Sequence, residues 1–136
     1  MLFNIRNYTE MIQKAIACFW DTRNRQLNSQ LDRNNRDTGN RGAVTGGKQM
    51  DGFVELLAKV ATDMGVPQNC IYTKRNQLPG YFRPTKDWDF LIVSPTNKLI
   101  AAIEFKSQVG SFGNNFNNRT EEALGSAVDL WKNSRK

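Results

Sequence analysis

Three residues with metal-binding or acid–base side chains lie near the ends of two predicted strands. Asp89 stands at the start of the first strand, and Glu104 and Lys106 stand at the end of the second. Because successive side chains on a strand alternate between its faces, Glu104 and Lys106 share one face and Phe105 points to the other. A hairpin between these strands brings two carboxylates and an ammonium group together at one edge of the sheet.

This set of groups suits metal-assisted hydrolysis of a phosphodiester. Carboxylates are hard oxygen ligands of the kind that Mg²⁺ prefers, and the main-chain carbonyl of Phe105 could supply a further ligand. We therefore predict that Asp89, Glu104 and Phe105 hold Mg²⁺, which polarises a scissile phosphate and lowers the pKa of a bound water. Lys106 is predicted to orient that water and to offset the charge that builds on the phosphorane.

A simpler interpretation competes with this one, since a Glu and a Lys two residues apart on a strand are usually a solvated salt pair. Composition favours the chemistry. The chain contains no histidine, which excludes Ser-His-Asp and Cys-His sites, H-E-x-x-H zinc sites and nucleases with a histidine base. Its net charge of +6 suits a phosphate backbone as partner. No leader peptide or long apolar segment is evident, so a cytoplasmic location is expected.

Two helices are predicted before the strands. The first runs from residue 9 to about 30, with Thr9 as its cap, and an Asn- and Arg-rich stretch at about 21–42 predicts a mobile segment. The second spans about 49–64, has one apolar stripe and ends at Gly65.

The strands form a short hairpin near the middle of the chain. Trp88 to Val93 is the first strand, Ser94 to Lys98 is a turn, and Leu99 to Lys106 is the second strand. Since Ile100 to Ile103 is apolar on both faces, the second strand is predicted to be central and covered on both sides.

A Gly- and Asn-rich loop follows, and then a last helix capped by Asn118. Its predicted buried stripe consists of Leu124, Ala127, Val128 and Trp131, and Trp88 and Trp131 are predicted to be core aromatic residues. The order of elements predicts a single α/β domain over residues 1–136, with a small mixed β-sheet flanked by helices.

Several cationic and amide side chains are candidates for contacts with DNA. Amides can bond adenine and arginine can bond guanine, so the loop after the second strand is the first candidate for base contacts, through Asn114, Asn115, Asn117 and Arg119. Lys48, Arg83 and Lys86 are predicted to clamp phosphates.

Three longer blocks of sequence carry a resemblance to a known family. They are residues 43–54, residues 78–86 together with Trp88-Asp89, and residues 102–123. Together they are similar to XhoI-type Type II restriction endonucleases, which belong to the PD-(D/E)xK nucleases. The resemblance spans nearly the whole chain.

The resemblance implies a restriction-endonuclease-like core and a Mg²⁺-dependent homodimer that cleaves double-stranded DNA at CTCGAG. It also implies a cognate methyltransferase in the host. The D…ExK residues of the family correspond to Asp89, Glu104 and Lys106. Members of the family are longer, so we expect this chain to lack their C-terminal part. Two alternatives stay open: a structure-specific repair nuclease of the same fold, and a non-catalytic DNA-binding remnant.

Overall fold

A computed structural model of the chain describes residues 4–32, 48–74, 76–107 and 112–134. Contacts within the chain define two compact units, Met1–Gln68 and Asn69–Lys136. The single domain over residues 1–136 stays a prediction. In the described part of the chain, no helix is apolar over a length that would cross a bilayer.

The first unit begins with a short 3₁₀ helix, Ile5–Tyr8, which leads directly into helix α1, Thr9–Asp32. The predicted first helix is thus confirmed, and it continues into the stretch for which mobility was predicted. The remainder of that stretch lies outside the described residues. The prediction that Thr9 caps α1 is wrong, because the preceding 3₁₀ turn occupies the helix start. The Thr9 hydroxyl instead donates to the carbonyl of Arg6 at 2.9 Å.

Helix α2, Asp51–Asp63, follows a 3₁₀ turn at Lys48–Met50 and confirms the second predicted helix. The chain leaves α2 at Gly65, whose positive φ of 92° favours glycine. Gly52 allows α2 to approach α1 closely, since a Cβ there would lie 2.8 Å from the Cα of Ala15. The Phe19 and Phe53 rings pack edge to face across the same two helices.

The second unit contains five short strands in two sheets. Strands β1, β4 and β5 form one sheet in the order β1-β4-β5, and β2 pairs with β3 in the other. The combination of helices and small sheets confirms the predicted α/β class. The sheet was predicted to be mixed, but every strand pairing in the described part of the chain is antiparallel. The strands are β1 Ile71–Tyr72, β2 Gln77–Leu78, β3 Lys86–Asp87, β4 Phe90–Val93 and β5 Leu99–Ile103.

The hairpin of β4 and β5 is confirmed, but the position predicted for its second strand is wrong. Among the described strands β4 is central, with Phe90 and Leu91 almost completely buried, and β5 lies at the edge. Ile100 on β5 is 65% exposed. A strand that is apolar on both faces has the sequence pattern of a central strand. That pattern does not show whether further strands pair with it.

Helix α3, Phe112–Asn133, begins earlier than predicted, so Asn118 lies within the helix and does not cap it. Its buried face is also different from the predicted one. Ser126 and Asp129 are buried, whereas the predicted stripe of Leu124, Ala127, Val128 and Trp131 is exposed. The polar face is buried because Asp129 binds the turn at Gly80–Arg83, as described below.

Candidate active site

The β4–β5 hairpin brings Asp89 next to the Glu104-Phe105-Lys106 segment. Phe90 pairs with Ile103 in the strand register, so one further step along the hairpin places Asp89 opposite Glu104. The N–H of Asp89 donates to the carbonyl of Ile103 at 3.1 Å. The N–H of Phe105 donates to Asp89 Oδ2 at 2.6 Å. Since β5 ends at Ile103, Glu104, Phe105 and Lys106 follow the strand, whereas the prediction placed them inside it.

Asn76 holds the backbone on the other side of Asp89, and no motif in the sequence indicates this role. This buried residue donates through Nδ2 to the carbonyl of Asp89 at 3.3 Å, and its main-chain carbonyl accepts the N–H of Trp88 at 3.0 Å. One side-chain and one main-chain hydrogen bond from Asn76 thus fix the course of the chain into β4. Trp88 itself is half-buried, in line with the predicted packing role.

Glu104 is contacted by two lysines at the same carboxylate oxygen. Lys106 Nζ lies 2.6 Å from Oε1, and Lys86 Nζ lies 2.8 Å from it. The Glu104 side chain is only 17% exposed and that of Lys86 is 13% exposed. Two charge-assisted hydrogen bonds on a half-buried carboxylate offset the loss of its hydration.

The electrostatics of this cluster keep Glu104 ionised. Burial alone would raise the pKa of the carboxyl group. The hydrogen bonds from Lys106 and Lys86 and their positive charges outweigh burial, so the pKa of Glu104 lies below its ordinary value. The site therefore presents a negative oxygen group at neutral pH, which is what metal coordination requires.

Lys86 belongs to this cluster, although the sequence predicted only a phosphate contact for it. Its ammonium group also lies 5.1 Å from the centre of the Trp88 ring. Lys86 is far from Glu104 in sequence and comes from β3, so only the three-dimensional arrangement of the strands reveals their contact. The lone sequence signal was a lysine close to the Trp88-Asp89 pair.

Helix α3 reaches the same cluster through Glu122, which the sequence did not indicate. Glu122 Oε2 lies 3.5 Å from Lys106 Nζ and 2.8 Å from Arg119 Nη1. Arg119, predicted to contact DNA, is thus engaged within its own helix and half-buried. The predicted loop of asparagines is helical here, with Asn117 exposed on it. The side chains of Asn114 and Asn115 lie outside the description.

Two further predicted contacts are placed differently from one another. Arg83 is 43% exposed and forms an ion pair at 2.8 Å with the buried Asp129. Lys48 is exposed and lies in the first unit, in the turn before α2. Their roles in binding phosphate stay predictions.

The oxygen groups at the end of the hairpin fit a hard divalent cation. Asp89 and Glu104 supply two carboxylates on neighbouring chain segments, and Phe105 directly follows Glu104 in the chain. Within the described ranges no cluster of three or more His, Cys, Asp or Glu side chains suits a metal. A site here would thus complete its coordination with water and phosphate oxygens, as Mg²⁺ sites commonly do.

An apolar cleft of about 580 Å³ lies between β5 and α3 and includes Glu104 and Lys106 in its lining. Trp88, Ile100 and Trp131 contribute large side chains to its walls. The charged cluster therefore borders an apolar surface on one side.

Comparison with known proteins identifies the family. The family model "Restriction endonuclease XhoI" matches residues 29–136. The Type II restriction enzyme BstVI of Geobacillus stearothermophilus is 56% identical over 102 residues, covering 71% of this chain and 46% of the relative. The Type II restriction enzymes AbrI of Azospirillum brasilense and XhoI of Xanthomonas vasicola are each 44% identical over 134 residues.

These two alignments cover 96% of this chain but only 60% of AbrI and 53% of XhoI. The chain thus spans about half the length of the curated relatives that it matches. No solved structure shows a significant match. The family match covers most of the chain and includes Asp89, Glu104 and Lys106. The chain belongs to the XhoI restriction endonuclease family.

Proposed function

We propose that this chain carries the catalytic site of a Mg²⁺-dependent Type II restriction endonuclease that hydrolyses phosphodiester bonds of double-stranded DNA. The observation that carries the proposal is the convergence of Asp89 with Glu104, Phe105 and Lys106 at the end of one hairpin. Membership of the XhoI family supports this chemistry over a structure-specific repair nuclease.

Asp89, Glu104 and the carbonyl of Phe105 are the groups that would hold the metal. When bound, Mg²⁺ supplies a Lewis acid that polarises a phosphate oxygen and lowers the pKa of a coordinated water. The hydrogen bond from the Phe105 N–H fixes the Asp89 carboxylate, so this ligand is held in place before substrate arrives.

Lys106 is the residue proposed to act on the reacting atoms. Its ammonium group lies at Glu104 and is 30% exposed, so it can reach an entering water or a phosphate oxygen. A cation there orients the water and stabilises the charge of the phosphorane. Lys86, the second ammonium group at Glu104, adds positive charge at the same place.

The finer features follow from the family resemblance and are part of the proposal. The target is CTCGAG, and the enzyme is a twofold homodimer, because a palindrome presents two identical half-sites. A cognate methyltransferase protects the same sequence in the host.

Plasmid cleavage tests the proposal directly. A plasmid with one CTCGAG site and a plasmid with one base pair of that site changed are incubated with the chain and Mg²⁺. We expect a single linear product from the first plasmid only. Lys106→Ala should slow cleavage about 100-fold or more, by analogy with the loss of one transition-state donor. Lys98→Ala, in the exposed hairpin turn, is the matched lysine control.

The other outcomes each decide an alternative. Binding of DNA without cleavage by the unmodified chain would favour a non-catalytic DNA-binding remnant. Cutting of branched or flap substrates in preference to the plasmid site would favour a repair nuclease. Equal cleavage by Lys106→Ala and Lys98→Ala would remove Lys106 from the mechanism.

A further inference from the structure

The turn at Gly80–Arg83, here called the aromatic turn, is held in place by a buried carboxylate. Asp129 is 2% exposed. Its Oδ1 accepts the N–H of Phe82 at 2.7 Å, its Oδ2 pairs with Arg83 Nε at 2.8 Å, and its main-chain carbonyl accepts the N–H of Tyr81 at 3.3 Å. The turn also closes on itself, since the N–H of Gly80 donates to the carbonyl of Arg83 at 3.2 Å. The backbone of the aromatic turn is therefore rigid.

This rigid backbone displays two aromatic rings to solvent. Phe82 is 66% exposed and Tyr81 is 45% exposed, and their rings meet edge to face with centroids 4.9 Å apart. Lys132 of α3 places its ammonium group 5.1 Å from the centre of the Phe82 ring and 5.5 Å from that of Tyr81. A carboxylate is thus buried, at a cost in hydration, to fix a turn that leaves much of its two aromatic side chains in water.

Folding gains little from aromatic rings in such positions, whereas binding gains from them. A ring that is already fixed loses little conformational freedom when a partner arrives. Rings with adjacent cations suit duplex DNA, because an exposed phenyl ring can insert between base steps while phosphates meet the ammonium and guanidinium groups. Arg83 and Lys132 supply those cations at the aromatic turn.

The aromatic turn is followed closely in the chain by a residue of the active site. Lys86 comes three residues after Arg83, lies on β3 and contacts Glu104. DNA whose scissile phosphate lies at Glu104 and Lys106 would therefore have its neighbouring nucleotides within reach of the turn.

We infer that the aromatic turn is a DNA contact beside the cleaved bond, in which Phe82 inserts between stacked bases and Lys132 contacts a phosphate. The inference rests on the proposed function, because it takes DNA as the substrate. Phe82 is the residue that inserts and Asp129 is a positioning residue. Tyr81 supports the Phe82 ring.

Fluorescence anisotropy with a 20-base-pair duplex containing CTCGAG, in Ca²⁺ or without metal, tests this inference. Phe82→Ala should weaken binding roughly 10-fold or more, as expected for the loss of one base–aromatic contact. The slope of affinity against salt concentration should stay unchanged, because no charge is removed. Lys132→Gln should instead reduce that slope by about one phosphate contact. Tyr72→Ala is the control for loss of an exposed aromatic ring, since Tyr72 is exposed but lies on β1, outside the aromatic turn.

A second readout reports on the base itself. With 2-aminopurine placed at each position near the cleaved bond in turn, the unmodified chain should raise the fluorescence at one position, and Phe82→Ala should not. Phe82→Trp should preserve both binding and this signal. Because Phe82 is exposed, circular dichroism should show both variants folded.

Failure of this inference differs from failure of the proposed function. If the unmodified chain binds the duplex and Phe82→Ala binds equally well with an equal 2-aminopurine signal, the aromatic turn is not a DNA contact and the proposed function still stands. Concentration-dependent self-association that is lost in Phe82→Ala, with unchanged DNA binding, would assign the rings to a protein contact instead. If the unmodified chain binds no DNA, both proposals are overturned.

Discussion

Removal of the Asp129 carboxylate should destabilise the second unit by about 2–4 kcal/mol. Asp129→Ala leaves the N–H of Phe82 without its 2.7 Å acceptor, and a hydrogen bond to a charged group contributes about 1.5–3 kcal/mol. The ion pair with Arg83 adds about 1 kcal/mol or less, because the Arg83 side chain is 43% exposed and solvent screens its charge. The loss of the backbone contact therefore outweighs the loss of the ion pair.

Urea denaturation followed by tryptophan fluorescence and circular dichroism measures this change. For a urea dependence of about 2 kcal/mol per molar, the midpoint of the second unit should fall by about 1–2 M. Glu121→Ala removes an exposed acidic side chain from the same helix and is the matched control. Hydrogen exchange provides a local readout, since the Phe82 amide should lose its protection in Asp129→Ala.

A double-mutant cycle with Arg83→Ala separates the two contributions. We expect Arg83→Ala alone to cost less than Asp129→Ala, and the coupling between them to stay near 1 kcal/mol. A cost below about 0.5 kcal/mol for Asp129→Ala would refute the reasoning, since a buried carboxylate with these partners would then contribute no more than a typical surface side chain.

Three further outcomes follow from contacts in the same unit. Gly80→Ala should lower the urea midpoint, because its Cβ would overlap the carboxylate of Asp129, whereas Gly125→Ala has open space and should stabilise α3 by up to about 1 kcal/mol. Glu104 should add stability that is complete above the ordinary pKa of a glutamate and is lost as the pH falls through its lowered pKa in the folded state. The melting temperatures of the unmodified chain and of Glu104→Gln should therefore converge in acid. Convergence at alkaline pH would contradict this prediction. Lys86→Ala should move the pKa of Glu104 upward, as followed by NMR of the labelled carboxyl carbon, and an unchanged pKa would show that Lys106 alone holds the charge.

The sequence predicted the hairpin and its catalytic candidates because their signals are local. Alternation along Glu104-Phe105-Lys106, a turn rich in Pro and Asn, and two apolar runs are enough to place Asp89 opposite Glu104. Asn97 in that turn adopts a positive φ of 58°, as an asparagine in a tight turn commonly does. These features depend on neighbours that are close in the chain.

The face of α3 that is buried could not be predicted in this way. Leu124, Val128 and Trp131 recur at helical spacing and predict a core stripe, yet they are exposed. Asp129 decides the orientation, because its partners lie in a turn far away in sequence and a buried carboxylate cannot be left without them. A helical wheel shows where the apolar residues of a helix lie, but it does not show which distant residues will bind a polar side chain such as Asp129.

The start of α3 was missed for a related reason. Glycine and asparagine lower helix propensity by up to about 1 kcal/mol per residue, so residues 110–119 predict a loop. In the structure Arg119 pairs with Glu122 one turn later, and Thr120 donates to the carbonyl of Phe116. Contacts within the helix and from Glu122 to Lys106 thus override the propensity of its first residues.

The two carboxylates that the second unit withdraws from water are compensated in different ways, and the difference separates structure from chemistry. Asp129 accepts a hydrogen bond from the backbone N–H of Phe82, a partner that cannot leave without unfolding the turn, and it also pairs with the arginine of that turn. Glu104 is satisfied by the ammonium groups of Lys86 and Lys106, which end long flexible side chains and contact a single oxygen. In the proposed mechanism, a cation at Glu104 would replace those ammonium groups without changing the backbone, and the lysines would then meet a phosphate. Burial alone marks both residues as costly, and the mobility of their partners is what makes Glu104 the candidate for catalysis and Asp129 the anchor.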